Sequence, residues 1–136
     1  MHADRKLAVA VRSDLADWQK LNVTAFVVSG IGPAHPDLVG DDYVDASGAR
    51  YLPMFVHPVL VYAGDGAGLT RAFRRATDRG LQVAVYTDDL FATGNDVDNR
   101  AAVAKVATED LALAGFGVVG PRKEVDKVFD KLKFHP

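Results

Sequence analysis

Four short, nearly unbroken apolar stretches alternate along the chain with segments of helical periodicity. They are Leu7–Val11, Pro58–Ala63, Leu81–Thr87 and Leu111–Val119. An apolar run of this length is typical of a strand that is buried on both faces. Strands that alternate with helices indicate a largely parallel sheet with helices packed on it. The pattern therefore predicts an α/β domain of the three-layer type with a mostly parallel four-stranded sheet.

The segments between these strands carry the start and stop signals of helices. Ser13 or Asp14 is expected to cap a first helix, and Ser29-Gly30 to end it. Asp65 is expected to cap the second helix, and Gly80 to end it. A short helix near Arg100–Ala107, capped by Asp98 or Asn99, and a last helix that opens at Pro121 complete the prediction.

Residues 31–50 differ from the rest of the chain, because glycine, proline and aspartate interrupt any regular pattern there. We expect a long surface excursion with short strand pieces at Tyr43–Ala46 and Arg50–Met54. We interpret residues 31–55 as a loop-rich insertion in a single α/β domain that spans residues 1–136. Long loops are often functional, and an insertion without a function is an equally good explanation.

Composition and charge narrow the classes of function. The 136 residues are 49% hydrophobic and 25% charged, with a formal net charge of -2, which is less basic than a dedicated nucleic-acid binder usually is. The chain has no cysteine, which excludes disulfides, thiolate metal sites and cysteine nucleophiles. No apolar run approaches the roughly 20 residues of a membrane span. We therefore expect a cytoplasmic protein with no membrane partner.

Polar residues follow the first and third predicted strands, at the carboxyl ends where open α/β sheets bind their ligands. Lys20 lies on the first helix, and Asp88 comes directly after the third strand. We expect the two side chains to face one hollow and take them as the candidate catalytic residues. A solvated surface lysine and a turn-forming aspartate are the alternative interpretations. The candidate substrate-binding residues around them are Asp14, Asn22, Thr24, Asp89, Thr93 and Asn95.

Other motifs are weaker. The run Gly64–Gly68 outlines a dinucleotide-binding turn, but Leu69 stands where the third glycine belongs, and a tight strand-to-helix turn explains the run better. The four histidines have no metal-like spacing. We therefore expect neither a cofactor nor a metal, and nucleotide binding ranks as a third hypothesis.

The run Lys6–Leu15, read with Lys20, resembles the opening of the type II peptidyl-tRNA hydrolases, with the pattern K-x-x-x-x-V-R-x-D-L. The segments Gly80–Val85 and Ala114–Pro121 also look similar to that family. The resemblance implies the hydrolase fold, with Lys20 and Asp88 as the catalytic residues.

Three positions near the lysine depart from the hydrolase pattern. Gln19 replaces a glycine, Thr24 a glutamine and Val27 a histidine. Trp18–Val23 and Tyr51–Met54 resemble more closely a bacterial family of unknown function that shares this fold.

Two functions follow from these residues and this resemblance. The first is hydrolysis of an acyl or peptidyl ester, on a small molecule or a tRNA, with Lys20 stabilising the developing negative charge and Asp88 positioning water or the lysine. The second is a non-catalytic module that binds a small ligand or a protein partner through the same pocket. A basic helix and a glycine-rich last strand are compatible with a homodimer.

Overall fold

The protein is described here by a computed structural model that covers residues 4–136. Its strands are β1 (Arg5–Arg12), β2 (Tyr43–Val44), β3 (Arg50–Tyr51), β4 (Val59–Gly64), β5 (Val83–Thr87), β6 (Leu113–Pro121) and β7 (Lys133–Phe134). Its helices are α1 (Asp17–Ala34), α2 (Gly66–Asp78), α3 (Asp96–Ala104) and α4 (Arg122–Val128). Short 3₁₀ turns lie at 36–38, 88–92 and 108–110.

The main sheet has five strands in the order β5-β6-β1-β4-β7, and it is mixed. Only β1 and β4 pair in parallel, while β6 is antiparallel to both β1 and β5, and β7 is antiparallel to β4. The prediction of four mostly parallel strands is therefore wrong in number and in pairing. The segment after β5 returns to the edge where that strand ended, since Asp88 N donates to Ala112 O at 2.9 Å. The following strand must then run in the opposite direction.

Helices cover both faces of this sheet, as the predicted three layers require. Alternate residues of β1 point to opposite faces. Ala8 and Ala10 belong to the core cluster that includes residues of α2 and α4. Val9 and Val11 belong to the cluster formed with Val23 and Val27 of α1. The apolar run of β1 is thus explained by burial on both sides.

Two glycines of β6 allow α1 to approach the sheet closely. A Cβ atom on Gly115 would lie 2.5 Å from Val23 Cγ1 and 2.7 Å from the backbone oxygen of Ala10. A Cβ atom on Gly117 would lie 3.0 Å from Ile31 Cδ1. Since real Cβ atoms do not approach backbone this closely, any larger residue at position 115 must displace the helix or the strand.

The ends of α1 differ from the prediction. The helix begins at Asp17, with Ala16 before it donating its N–H to Gln19 Oε1 at 2.9 Å. Ser13 and Asp14 lie in the preceding turn and do not cap it. The helix also continues through Ser29-Gly30 to Ala34, because the buried Ile31 keeps the last turns packed on the core.

The ends of the other helices agree better with the sequence. Asp65 caps α2 by accepting the N–H of Gly68 at 2.7 Å, and Gly80 follows the helix with a φ of 71°, so both predictions are confirmed. Asn95 caps α3 by accepting the N–H of Asp98 at 2.9 Å, so the prediction of Asp98 or Asn99 is wrong.

The excursion after α1 contains the two predicted short strands. β2 and β3 form an antiparallel hairpin in which Tyr43 pairs with Tyr51. Asp45 holds its turn by accepting hydrogen bonds from two backbone N–H groups and from the Tyr51 hydroxyl at 2.7 Å. Leu38 is fully buried, so the base of the excursion is anchored in the core.

The two-residue strand β7 was not predicted. It pairs with β4, and the Phe134 ring stacks on Tyr62 with ring centroids 4.6 Å apart. His135 follows directly and donates its backbone N–H to Val61 O at 2.9 Å. The last residues of the chain are therefore fixed along the sheet edge.

We predict that Gly115→Ala destabilises the fold by about 1–3 kcal/mol, the usual cost of overpacking a well-packed core. Gly94→Ala is the matched control, because nothing lies within 4 Å of a Cβ at that position. Urea unfolding of the three proteins measures the difference in the free energy of unfolding. Equal destabilisation by the two substitutions would contradict a tight contact between α1 and β6.

Candidate ligand-binding site

The carboxyl ends of β1, β4 and β5 lie at the same end of the sheet, because these three strands run in the same direction. Arg12, at the end of β1, connects the groups at this end of the sheet. Its Nε donates to Asp14 at 2.6 Å, and its Nη1 donates to Asp88 at 2.8 Å and to the backbone oxygen of Leu113 at 3.1 Å. We call Arg12, Asp14 and Asp88 the Arg12 cluster.

The charges of this cluster support one another. Burial disfavours the charge of Arg12, but hydrogen bonds to Asp14 and Asp88 outweigh it, and the pKa of the guanidinium is raised. The hydrogen bond from Arg12 lowers the pKa of Asp14, and the nearby charge of Lys20 adds a smaller effect in the same direction. Lys20 is therefore an electrostatic neighbour of the cluster, although it forms no ion pair with any of the described residues.

An open pocket lies on the β5 side of α1, and we call it the aromatic pocket. Trp18, Asn22 and Phe26 line it from α1, where a spacing of four residues places them on one face. The volume of the pocket is about 310 Å³. Its other lining residues come from β5 and the segment that follows: Tyr86, Leu90, Phe91, Thr93, Gly94, Asn95, Asp96 and Asn99.

Aromatic rings form one wall of this pocket. The ring centroids are 6.0 Å apart for Trp18 and Phe91, 5.0 Å for Tyr86 and Phe91, and 5.8 Å for Phe26 and Tyr86. Trp18 is 62% exposed and Phe26 is 51% exposed. Burial raises the pKa of the Tyr86 phenol, against an opposing hydrogen bond from Asn22, so this hydroxyl stays protonated near neutral pH.

The polar side chains of the aromatic pocket differ in how fully they are bonded. Both groups of the Asn95 amide are engaged with Asp98, at 2.9 Å each. The Thr93 hydroxyl contacts Leu90 O at 3.0 Å and the side-chain amide of Asn99. Within residues 4–136, the Asn22 amide has one long contact, from Nδ2 to the Tyr86 hydroxyl at 3.5 Å. Asn22 therefore keeps unused donor and acceptor capacity.

A second cavity lies on the other side of α1, and we call it the lysine cavity. Its volume is about 450 Å³, and its lining is mostly apolar. Lys20 Nζ lies 3.2 Å from Nε2 of His135 there, although 115 residues separate the two in the sequence. The remaining lining residues are Val11, Leu21, Thr24, Ala25 and Val61.

The residues predicted from sequence are thus divided among three places. Asn22, Thr93 and Asn95 lie in the aromatic pocket, and Lys20 and Thr24 line the lysine cavity. Asp14 and Asp88 belong to the Arg12 cluster, and Asp89 is exposed in the turn after β5.

Lys20 and Asp88 were predicted to face one hollow, but the structure places them in different surroundings. Lys20 lines a cavity with His135, whereas Asp88 is held by Arg12. The physical reason is the pitch of α1, since residues two apart, such as Lys20 and Asn22, point to opposite sides of a helix. Asp88 pairs instead with Arg12, because both residues lie at the carboxyl ends of their strands.

Sequence reasoning missed His135 and the aromatic wall. Trp18 and Phe26 carried a signal, because large apolar residues eight positions apart on a helix face nearly the same direction. His135 carried none, since nothing local connects it with Lys20. His135 reaches the lysine cavity only through the pairing of β7 with β4, whereas Lys20 reaches it from α1.

The glycine run Gly64–Gly68 has a packing explanation. A Cβ atom on Gly64 would lie 2.5 Å from Leu132 Cδ2, and one on Gly68 would lie 3.1 Å from the same atom. The Asp65 carboxylate already occupies the start of α2. These contacts favour the tight-turn interpretation over a phosphate site.

Two further properties concern the part of the chain that the structure describes. Within it, no group of three or more histidine, cysteine, aspartate or glutamate side chains is arranged to hold a metal ion. No helix in residues 4–136 combines the length and the apolar character needed to cross a membrane.

Comparisons with known proteins agree with this fold. The family described as "Protein of unknown function (DUF2000)" matches residues 5–136. A solved structure of a protein of unknown function from Agrobacterium tumefaciens is similar over 98% of each chain, with 37% sequence identity and a TM-score of 0.95. No curated protein matches the chain.

We predict that Asp14→Asn lowers stability at neutral pH and that the difference from wild type disappears in acid. The folded-state pKa of Asp14 lies below its ordinary value of 3.8, so its contribution is present above that value and is lost as the pH falls through the folded pKa. Urea unfolding at a series of pH values, from neutral down to about pH 2, measures how the difference shrinks. Exposed Asp41→Asn is the control, and a difference from wild type that persists unchanged in acid would contradict the Arg12–Asp14 interaction.

Proposed function

The chain belongs to the DUF2000 family of proteins of unknown function, and we propose that it is a non-catalytic module that binds a small, flat, uncharged heterocycle in the aromatic pocket. The observation that carries the proposal is that candidate residues from separate segments line the same pocket. Three of the six candidate binding residues, Asn22, Thr93 and Asn95, line one pocket together with four aromatic side chains and Leu90. Such a combination of apolar surface and few polar groups is typical of small-molecule sites.

The chemistry of the pocket indicates the class of ligand. Aromatic side chains offer faces and edges for stacking a planar ring. The Asn22 amide can donate and accept a hydrogen bond at once, which suits the edge of a nucleobase or a nicotinamide-type ring. The one charged lining residue, Asp96, forms an ion pair with Arg100 at 2.5 Å, so the pocket offers no free charge for an ionic ligand.

Binding without catalysis is favoured by the state of the charged groups. The Asp88 carboxylate receives two contacts from Arg12 Nη1, at 2.8 and 3.0 Å. Because both of its oxygens already accept from the guanidinium, this carboxylate is poorly placed to take a proton from water or from a substrate. The Arg12 cluster is better understood as a support for the loop that carries Leu90 to Asn95.

The test uses the fluorescence of Trp18, which is the single tryptophan of the chain and lies in the pocket. Adenine, uracil and nicotinamide are the probes, and we expect at least one to change the emission saturably. A probe at about 100 times its Kd must also stabilise the native state by about 2.7 kcal/mol. Thermal unfolding with and without the probe measures this shift.

Two variants complete this experiment. Asn22→Leu, which preserves size and removes the hydrogen bonds, is expected to weaken binding roughly tenfold. Exposed Gln82→Leu is the matched control and is expected to bind as the wild type does. If none of the three probes changes either the emission or the unfolding midpoint, the proposal is rejected.

Hydrolysis of an acyl or peptidyl ester is the second candidate. It is supported by the position of Lys20, whose side chain lies in a cavity with an apolar wall next to the Arg12 cluster. In this hypothesis the lysine stabilises the oxyanion and Asp88 orients water. The type II peptidyl-tRNA hydrolase fold belongs to the same hypothesis.

For this candidate, we expect release of free tRNA from peptidyl-tRNA by the wild type, with a loss of at least about 100-fold in Lys20→Ala and in Asp88→Ala. Gel electrophoresis of the tRNA products measures the rate. Background release by all three proteins would remove the hydrolase hypothesis and leave the binding proposal untouched. A cytoplasmic location and a homodimer remain predictions of the sequence.

A further inference from the structure

We propose that the lysine cavity is a second binding site, for a small carboxylate with a short apolar tail. The cavity lies on the opposite side of α1 from the aromatic pocket and shares no lining residue with it. Its walls are formed mainly by Val11, Leu21, Ala25 and Val61, and Lys20 is the one lining residue with a full charge. An apolar chamber with a single cation favours a ligand with one anionic group and a hydrocarbon portion.

The hydrogen bonds of His135 determine how many N–H groups of the Lys20 ammonium remain available to a ligand. Nδ1 of His135 lies 2.8 Å from the main-chain oxygen of Pro136, and because that oxygen is an acceptor, we assign the ring proton to Nδ1. Nε2 then has the free lone pair and accepts from Lys20 Nζ at 3.2 Å. This contact uses one of the three N–H groups of the ammonium, so two remain for a ligand.

Contacts of the chain on both sides fix His135 and the backbone of Lys20, and the contact with the imidazole then positions the Lys20 ammonium. His135 donates its backbone N–H to Val61 O at 2.9 Å, and the preceding Phe134 stacks on Tyr62. On α1, the Thr24 hydroxyl donates to the backbone oxygen of Lys20 at 2.8 Å. The imidazole therefore holds the ammonium at the cavity wall before any ligand arrives, which reduces the entropy lost on binding.

The charges nearby leave Lys20 available to an anion. Asp14 is its electrostatic neighbour, but that carboxylate is held by Arg12 Nε at 2.6 Å. Among the residues that the structure describes, no carboxylate forms an ion pair with Lys20. A ligand carboxylate could therefore form a direct ion pair with Lys20, which no carboxylate of the described residues does.

Hexanoate is the probe for this site, and isothermal titration calorimetry is the measurement. Two control ligands separate the contribution of the carboxylate from that of the hydrocarbon chain. 1-Hexanol lacks the charge, and acetate lacks the chain. We expect hexanoate to bind roughly tenfold or more tightly than either, because it combines a charge-assisted hydrogen bond with burial of its methylene groups.

The variants assign the binding to the cavity. Lys20→Met preserves most of the side-chain volume and removes the charge, and we expect it to weaken hexanoate roughly tenfold or more while leaving hexanol unchanged. His135→Phe is expected to weaken hexanoate by a smaller factor, since it frees the ammonium from its support. Exposed Lys123→Met is the control for net charge and is expected to bind as the wild type does.

Each result decides the proposal. Absence of hexanoate binding to the wild type, equal affinity for hexanol and hexanoate, or unchanged affinity in Lys20→Met would each overturn it. Thermal unfolding of every variant establishes that it is folded. Asn22→Leu should bind hexanoate normally, so the outcome for this cavity is independent of the outcome for the aromatic pocket.

Discussion

The close contact between α1 and β6 is the constraint on which the rest of this structure depends. Gly115 and Gly117 have no side chains, so Val23, Val27 and Ile31 of the helix sit directly on the strand. The helix is thereby fixed in height and direction over the sheet. The two faces of the helix that flank this contact line open spaces, which are the aromatic pocket and the lysine cavity.

A second constraint acts at one end of the sheet. Three strands have their carboxyl ends there, while β6 begins there. Arg12 satisfies two carboxylates and a strand-end carbonyl together, and it does so half-buried, where an unpaired charge would be costly. The cluster connects the end of β1 to the loop after β5. It therefore fixes the loop that forms one wall of the aromatic pocket.

The candidate site was only partly predictable. That Asn22, Thr93 and Asn95 would contribute to a pocket followed from their positions near the ends of β1 and β5, where the carboxyl edge of an α/β sheet carries ligands. That Lys20 and Asp88 would share one hollow did not follow from the same rule. That rule does not predict which side of a helix a residue faces. The position of Lys20 along α1 directs its side chain toward β4 and His135.

The sequence by itself determined the elements: apolar runs predicted β1, β4, β5 and β6 to within two residues, and Asp65 and Gly80 marked the ends of α2. These signals are local, because burial and capping act through residues that are close in the chain. Only the tertiary structure decided the direction of β6, the addition of β7 and the contact between Lys20 and His135. Those features depend on hydrogen bonds between segments far apart in sequence, for which no local pattern of hydrophobic and polar residues exists.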